Sequence, residues 1–401
     1  MTGLQGKNIL FAVTGSIAAF KAAGWVSALV KEEALVTVVM TRAAARFVSP
    51  LTFSALSGNR VHVDMFDEDP DHVMSHISLA READLVLVAP ATAHTMARLA
   101  HGFADDLLAA AVLAAVNKPV VVCPAMNTQM FAHGATQDNI GRLHELGYQV
   151  MQPESGMLAC GEEGAGRLPE WDGVREQLLQ SLTPPDLDGQ RIVITAGPTR
   201  EPLDPARFLS NRSSGKMGFA LARTARRRGA AVTLVAGPVA LPDPPGIEVV
   251  HVKTAMEMYD AVMELQGAAS IIIKAAAVAD FRPSRFEPEK IKKRSASNSL
   301  ELVQNEDILA ALGRMKKPDQ LLVGFAAESR HLEDEGMRKL QEKNLDLIAV
   351  NDISGINTGF DVETNQVMLI DRNGSTTLPL LSKEQTADRI WDHVAAMLQS
   401  G

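Results

Sequence analysis

The chain has 401 residues, of which 46% are hydrophobic, and a net charge of −9 at pH 7. At roughly 150 residues per domain, this length predicts two or three domains with substantial cores. The net negative charge argues against a dedicated nucleic-acid or anionic-membrane binder, although a local basic loop can still bind a phosphate. The two cysteines, Cys123 and Cys160, exclude a disulfide framework and lack metal-ligand spacing, so we expect a cytoplasmic protein.

The first half of the chain alternates short apolar runs with longer helical patterns. This alternation predicts strands at residues 8–14, 35–40, 84–90, 119–123 and 148–151, and helices at 17–32, 91–100 and 105–116. Near-continuous apolar strands flanked by helices are typical of a parallel sheet that is covered on both faces. The longest apolar run, 107–116, is too short to span a membrane.

The second half of the chain restarts the same alternation after a break. Residues 181–190 carry two prolines and a glycine and indicate a linker. The pattern beyond it predicts a helix at about 216–228 and strands at 191–197, 231–237, 270–277, 321–327 and 346–350. We therefore predict two doubly wound α/β domains, at 1–182 and 191–401, with a linker at 183–190.

Polar residues follow several of the predicted strands, where open α/β sheets bind their ligands. Gly15 and Ser16 follow the first strand and can offer N–H groups and a hydroxyl to a phosphate, unless Ser16 only caps the helix. Asn127 follows the strand at 119–123, where its amide can bind a carboxylate or simply form a turn. His76 suits proton transfer if it faces a pocket, and is otherwise a surface residue.

Cys160 lies in the glycine-rich segment GMLACGEEGAGRLPE, residues 156–170, for which we expect neither helix nor strand. We expect such a segment to be mobile when empty and to close over a bound ligand, where the thiol can donate a proton. The alternative is a flexible surface loop with an incidental cysteine.

The second domain contains two segments suited to anions. In SNRSSGKMG, residues 213–215 can offer hydroxyls and N–H groups at a helix start and Lys216 adds a positive charge, unless these residues only cap the helix. The basic run EKIKKRS at 289–295 can neutralise a triphosphate, or is merely solvated. Asp280 follows an apolar strand end as a polar anchor or a metal partner.

Four motifs of the first half, GSIAAFKA, HISLA, PAMNTQM and GMLACGEEGAGR, together resemble the flavin-dependent cysteine decarboxylases, from about residue 5 to 180. Within that family they are most similar to the phosphopantothenoylcysteine decarboxylase half of the bacterial bifunctional coenzyme A biosynthesis proteins. The second half resembles the phosphopantothenate–cysteine ligase half of the same proteins, through ITAGPTREPLDPARFLSNRSSGKMGFALA, KAAAVADFRP, EKIKK and VGFAAES. The resemblance implies a flavodoxin-like parallel sheet in the first domain and a Rossmann-like ligase fold in the second.

For the second domain, the resemblance implies CTP-dependent ligation of L-cysteine to 4′-phosphopantothenate through an acyl-cytidylate, with Mg²⁺ shielding the phosphates. Asn211 matches the residue that holds the acyl-cytidylate, Lys290 the lysine of the nucleotide step, and Arg207 a substrate contact. Asp280 matches a nucleotide contact and a metal partner. The further matched CTP contacts are Lys274, Ala275, Ala276, Glu306, Asp307, Ile308, Leu309, Phe325, Lys339 and Lys343.

For the first domain, the resemblance implies decarboxylation of 4′-phosphopantothenoylcysteine to 4′-phosphopantetheine. Direct loss of CO₂ would leave an unstabilised carbanion, so an electron sink is required. In the family, FMN oxidises the cysteinyl thiol to a thioaldehyde, which takes up the electrons as CO₂ leaves. Gly15 and Ser16 match the residues that hold the FMN phosphate.

The same resemblance assigns roles to four further residues of the first domain. His76 matches the active-site histidine, and Asn127 the amide that binds the substrate carboxylate. Cys160 matches the proton donor of the final reduction. Arg167 would contact an anionic part of the substrate.

Three rival functions fit part of these motifs. A flavin-dependent peptidyl-cysteine decarboxylase would have no use for the ligase motifs, and a flavin electron carrier would leave the second domain unexplained. A non-catalytic regulatory relative would be expected to lack His76, Asn127 or Cys160, and all three are present. The resemblance also implies a homo-oligomer, a dodecamer that combines trimers of the flavin domain with dimers of the ligase domain.

Overall fold

A computed structural model describes residues 3–66, 75–292, 299–328, 330–352 and 364–400 of the chain. The chain divides into two compact units, Met1–Thr183 and Pro184–Gly401. Between the last helix of the first unit and the first strand of the second, Leu187 is buried in a core of the second unit. Within the described ranges, no helix is long and apolar enough to cross a membrane.

The first unit alternates strands and helices from its start. Its strands are β1 (Asn8–Val13), β2 (Leu35–Met40), β3 (Val61–His62), β4 (Leu85–Ala91), β5 (Val120–Pro124), β6 (Gln149–Val150), β7 (Glu154–Met157) and β8 (Glu163–Arg167). Its helices are α1 (Ala19–Lys31), α2 (Pro50–Ser57), α3 (Ser75–Glu82), α4 (Ala93–His101), α5 (Leu107–Ala114), α6 (Thr128–Ala132), α7 (Gly134–Glu145) and α8 (Trp171–Leu182). The five predicted strands and the three predicted helices are confirmed, with ends shifted by one or two residues.

The first six strands form one parallel sheet in the order β3-β2-β1-β4-β5-β6. Without β3, the order of the remaining strands is the 2-1-3-4-5 order of flavodoxin, as predicted. The sequence analysis missed β3, because a two-residue strand at a sheet edge has no periodicity to read. Its addition gives the first unit the 3-2-1-4-5-6 order of a Rossmann fold.

The strands of this sheet are apolar on both faces because helices cover both. Ile9 and Phe11 of β1 face a core that includes residues of α1, α2 and α8. Leu10 and Ala12 point the opposite way, into a core with residues of α3, α4, α5 and α7. Burying each large aliphatic side chain contributes about 1.5–3 kcal/mol. Polar side chains are therefore confined to the strand ends and the loops.

The second unit repeats this architecture with more strands. Its strands are β9 (Arg191–Ala196), β10 (Arg200–Asp204), β11 (Arg207–Ser210), β12 (Ala231–Ala236), β13 (Glu248–His251), β14 (Ile271–Lys274), β15 (Phe281–Pro283), β16 (Leu302–Gln304), β17 (Leu321–Glu328), β18 (Leu347–Asp352), β19 (Thr364–Asn365), β20 (Val367–Asp371), β21 (Gly374–Thr377) and β22 (Leu381–Ser382). Its helices are α9 (Lys216–Arg227), α10 (Ala255–Leu265), α11 (Ile308–Met315), α12 (Leu332–Glu342) and α13 (Lys383–Ser400).

The main sheet of the second unit has the order β13-β12-β9-β14-β17-β18-β20-β21. The first six strands of this order, from β13 at one edge as far as β18, pair in parallel. Strands β20 and β21 add an antiparallel edge. The parallel part has the Rossmann order, so the predicted fold class is confirmed for both units. The predicted strand 270–277 ends early, at Lys274, and its last residues leave the sheet to line a cavity.

A cluster of charges joins α13 to α9 and to the segment before β9. Arg228 bonds the carboxylates of Asp186 at 2.5 Å and Asp392 at 2.8 Å, and Arg227 pairs with Glu384. Burial raises the pKa of Asp388, within this cluster, to about 6, although Arg227 acts in the opposite direction. Asp388 therefore keeps its proton to a higher pH than an exposed aspartate does.

This pKa predicts how Asp388 affects stability. Because the folded pKa lies above the ordinary value of 3.8, Asp388 loses stabilising free energy as the pH rises through about 6. Asp388→Asn, which cannot ionise, should unfold at a higher temperature than the natural protein at pH 8, and the difference should shrink at pH 5. Calorimetry of the second unit's transition measures it. Asp392→Asn is the matched control and should instead lower stability at pH 8; equal behaviour of Asp388→Asn at both pH values would contradict the prediction.

Candidate active sites

The turn after β1 holds two of the residues predicted to bind a phosphate. A Cβ at Gly15 would lie 2.5 Å from that of Ala43, so only glycine fits this close approach. The Ser16 hydroxyl accepts a hydrogen bond from the N–H of Ala18 at 3.3 Å, just before α1 begins. The helix start therefore sits directly beyond the carboxyl end of β1, where its N–H groups favour an anion.

Asn127 lies at the end of β5 and caps α6. Its Oδ1 accepts from the N–H of Gln129 at 2.8 Å, which fixes the side chain. Its Nδ2 donates to Glu162 Oε2 at 2.6 Å and to Cys160 Sγ at 3.4 Å. Asn127 thus combines a helix-capping contact, which was not predicted, with a donor group that already holds a carboxylate beside the thiol.

Cys160 lies at the tip of an antiparallel hairpin made by β7 and β8. The expectation that residues 156–170 contain no strand is therefore wrong. Glycines allow the hairpin rather than prevent it, because Gly166 has φ +151° and a Cβ there would lie 2.2 Å from the carbonyl oxygen of Met126. The Gly166 carbonyl accepts from the Met126 N–H at 2.9 Å, which docks the hairpin next to Asn127.

These elements enclose a cavity of about 400 Å³, within the size range of small-molecule sites. Four predicted residues line this cavity: Ser16, Asn127, Cys160 and Arg167. Gly15, which precedes Ser16 in the chain, is not among the lining residues. Cys160 is exposed, whereas Cys123 is buried and its pKa is well above its usual range.

His76 is the second residue of α3 and is not among the residues that line this cavity. Residues 67–74, which precede α3, lie outside the described part of the chain. The sequence analysis did not single out Glu162, although its place two residues after Cys160, in the same motif, was a signal.

The second unit has a cavity of about 290 Å³ at the carboxyl ends of β14, β17 and β18. The start of α9 forms one wall, with residues 213–216 of the predicted anion segment. Gly215 has φ +76°, a left-handed conformation that turns the chain into the helix. The predicted residues that line this cavity are Asn211, Lys274, Ala275, Ala276, Asp280, Phe325 and Lys339.

Lys274 ends β14 at the wall of this cavity. Protein atoms desolvate its ammonium group and lower the pKa to about 8, and the nearby Lys343 acts in the same direction. Asp307 opposes this shift. An anion in the cavity would stabilise the charged form, so Lys274 is suited to bind one.

Asn211 and Asp280 also line this cavity. Asn211 Nδ2 donates to the Val278 carbonyl at 2.9 Å, which fixes its side chain against the segment after β14. Asp280 is exposed to the cavity. Among the described residues, no group of three or more histidine, cysteine or acidic side chains forms a metal cluster. Asp280 is the carboxylate among the residues that line this cavity.

The remaining predicted nucleotide contacts form a group at the start of α11. Asp307 caps this helix and pairs with Lys343 at 2.8 Å, and Glu306 before it is exposed. Ile308 and Leu309 have side chains buried in the core, so only their backbone is available to a ligand.

Arg207 and Lys290 lie outside the residues that line this cavity. The Arg207 guanidinium is held by Asp204, with Nε 2.9 Å from Oδ2, and donates to the Ile291 carbonyl at 3.0 Å. Lys290 is exposed on the adjoining basic segment. The structure therefore connects Arg207 to that segment and does not bring it to the cavity.

Three polar residues of the cavity were missed by the sequence analysis. Lys383 is buried and donates to Asn365 Oδ1 at 2.8 Å. Asn351, also buried, has a side-chain oxygen with no hydrogen-bond partner among the described residues. A buried acceptor without a partner is costly, so this oxygen fits a donor on a ligand.

Comparisons with known proteins cover both units. The family described as "Flavoprotein" matches residues 2–183, and the family "DNA/pantothenate metabolism flavoprotein C-terminal domain" matches residues 187–398. The Coenzyme A biosynthesis bifunctional protein CoaBC of Bacillus subtilis is 45% identical over 98% of both chains. That of Escherichia coli K12 is 44% identical over 98% of this chain and 97% of its own. A crystal structure of the C-terminal domain of a CoaBC protein is 41% identical, with a TM-score of 0.47, and covers 54% of this chain and 99% of that one.

The docking of the hairpin predicts the effect of Gly166→Ala. The added Cβ would clash with the Met126 carbonyl, which costs about 1–3 kcal/mol and loosens the hairpin from Asn127. Hydrogen–deuterium exchange of the Met126 amide, which donates to Gly166, should then become up to about 100-fold faster. Gly173→Ala in α8 is the control, because a Cβ there meets nothing within 4 Å. Unchanged exchange in Gly166→Ala would show that the close approach is unimportant.

Proposed function

The chain belongs to the family of coenzyme A biosynthesis bifunctional proteins CoaBC, and we propose that its two units carry out two successive steps of that pathway. The second unit joins L-cysteine to 4′-phosphopantothenate with CTP, and the first decarboxylates the resulting 4′-phosphopantothenoylcysteine to 4′-phosphopantetheine. The observation that carries the proposal is the similarity over 98% of the chain to a bifunctional protein. Each of the two family matches covers one unit, and each unit has a cavity of its own.

The cavity of the first unit fits a flavin, and we infer FMN. Its volume suits a small-molecule cofactor, and the close approach at Gly15 leaves the start of α1 open to a phosphate. Gly15 and Ser16 would hold this phosphate. When bound, the flavin supplies the oxidation of the substrate thiol that makes loss of CO₂ possible.

Asn127 would bind the substrate carboxylate with its Nδ2 group. The contact with Glu162 supports this role, because the same donor already holds a carboxylate at 2.6 Å. The substrate carboxylate would replace that of Glu162 and lie beside the Cys160 thiol, which is 3.4 Å from the same nitrogen. Cys160 would then donate the final proton. Arg167 would contact an anionic group of the substrate, and we retain His76 as the active-site histidine.

The cavity of the second unit would hold the nucleotide and the acyl group. Residues 213–216 and Lys274 offer N–H groups and positive charge to phosphates, and Asp280 would share a Mg²⁺ ion with them. Asn211 would hold the acyl-cytidylate, and Lys290 would serve the nucleotide step. The other matched CTP contacts line the cavity or lie at the start of α11. We also infer a cytoplasmic enzyme that assembles as a homo-oligomer, a dodecamer by resemblance.

A coupled assay tests this function. The purified yellow protein, given 4′-phosphopantothenate, L-cysteine, CTP and Mg²⁺, should release pyrophosphate, CMP and CO₂ and form 4′-phosphopantetheine. Cys160→Ser should still release CMP and CO₂ but accumulate the oxidised enethiol, because the proton donor is missing. Mass spectrometry identifies the products. Absence of both CMP and CO₂ would contradict the function, and normal 4′-phosphopantetheine formation by Cys160→Ser would contradict only the donor role.

The pKa of Lys274 predicts the pH dependence of CTP use. As the pH rises above about 8, Lys274 loses the proton that attracts the phosphates, so the KM for CTP should rise about tenfold between pH 7 and 9. Lys274→Met should have a high KM without this pH dependence. Lys317→Met, at an exposed lysine outside the cavity, serves as the control. A KM that is constant across this range in the natural protein would contradict the prediction.

A further inference from the structure

Asp204 is a buried carboxylate at the end of β10, and its hydrogen bonds join the turn before β11 to the basic segment at 289–295. Its Oδ1 accepts from the N–H groups of Ala206 at 2.8 Å and Arg207 at 2.9 Å, which closes the turn between β10 and β11. Its Oδ2 accepts from the Arg207 guanidinium, and this contact holds the pKa of Asp204 well below its usual range. Its side chain is inaccessible to solvent.

The same carboxylate and guanidinium bond the backbone N–H and C=O groups of one residue of the basic segment, Ile291. Asp204 Oδ2 accepts from the Ile291 N–H at 3.1 Å, and Arg207 donates to the Ile291 carbonyl at 3.0 Å. A further backbone bond, from the Glu287 N–H to the Leu203 carbonyl at 3.0 Å, fixes the start of the segment to β10. We call the set of Asp204, Arg207 and the backbone N–H and C=O groups of Ile291 the clamp.

The clamp fixes the backbone on which Lys290 stands. Ile291 is half-buried, and Lys290 before it is exposed. A lysine side chain has about 2 kcal/mol of rotamer entropy of its own, so a mobile backbone beneath it would place its ammonium group poorly. Fixing the N–H and C=O groups of Ile291 by two hydrogen bonds limits the positions that the Lys290 ammonium group can reach.

We propose that Asp204 is a positioning residue of the ligase reaction, which acts through the clamp to place Lys290 for the nucleotide step. The proposal rests on the proposed role of Lys290. It gives Arg207 a function through the clamp, and it explains why a fully buried carboxylate is paired with a half-exposed arginine. If the pair of Asp204 and Arg207 served only to stabilise the hairpin of β10 and β11, its hydrogen bonds to Ile291 would not be required.

Asp204→Asn can preserve the hydrogen bonds of the turn while it breaks those of the clamp. An amide has one oxygen, so it can accept from the turn or from Arg207 and Ile291, but not from both sets of donors. With the turn preserved, its NH₂ group would face the Ile291 N–H and release the segment. Ile291→Pro removes the N–H donor of the clamp while Asp204 and Arg207 stay in place, and it also restricts the backbone of Lys290. Ile291→Val keeps the N–H donor and is the matched control.

The test measures pyrophosphate release from CTP and 4′-phosphopantothenate without cysteine, in the full-length protein. Because the acyl-cytidylate has no acceptor without cysteine, pyrophosphate is released in a single turnover. Asp204→Asn and Ile291→Pro should lower the rate constant of this turnover by up to about 100-fold, with a smaller change in the 4′-phosphopantothenate concentration that gives half of the maximal rate. Ile291→Val should behave as the natural protein. Trypsin should cleave after Lys290 faster in Asp204→Asn, because this bond is held by the clamp.

A double-mutant cycle separates positioning from a structural role. In a Lys290→Ala background, Asp204→Asn should have no further effect on pyrophosphate release, because its action passes through Lys290. An equal loss in both backgrounds, or an unchanged rate constant of pyrophosphate release in Ile291→Pro, would overturn the proposal. If the natural protein releases no pyrophosphate at all, the proposed ligase function is wrong. If Asp204→Asn does not fold, the comparison of Ile291→Pro with Ile291→Val decides.

Discussion

Both units depend on parallel strands that are buried on their two faces. Such strands have no room for polar side chains along their length, as β1 shows with its five consecutive buried residues. Every strand of the parallel part also ends at the same edge, so the following loops converge there. This constraint places the turn after β1 beside Asn127 in the first unit, and Lys274 beside the start of α9 in the second.

Polar side chains at these strand ends first satisfy backbone groups, and this fixes their positions. Thr14 donates to the Pro90 carbonyl and accepts from the Thr92 N–H, which joins the ends of β1 and β4. Asn127 caps α6 with its oxygen, and its nitrogen remains directed at the hairpin. Local hydrogen bonds therefore supply the rigidity that a binding site requires, and function uses the remaining donors.

Charge in the two cavities is set locally, against the net charge of the chain. The chain carries −9, yet the second cavity includes Lys274, Lys339 and Lys383 in its wall. Desolvation lowers the pKa of Lys274 and so disfavours its charged form. The charges of two other lysines are compensated within the protein, because Lys339 pairs with Glu328 and Lys343 pairs with Asp307. Lysine charge near this cavity is therefore partly removed by desolvation and partly compensated by carboxylates.

The sequence by itself determined the two α/β units, the long strands and helices, and the motifs at the strand ends, because apolar periodicity and turn residues are local properties. Tertiary structure decided which distant residues meet. The contact of Asn127 with Glu162 spans 35 residues, and that of Asp204 with Ile291 spans 87. Tertiary structure also placed most of segment 156–170 in the hairpin of β7 and β8, and it buried Asn351 and Lys383 in a cavity wall. Such contacts form only when the packing of helices and strands brings distant loops together. A local sequence pattern does not show which loops will meet.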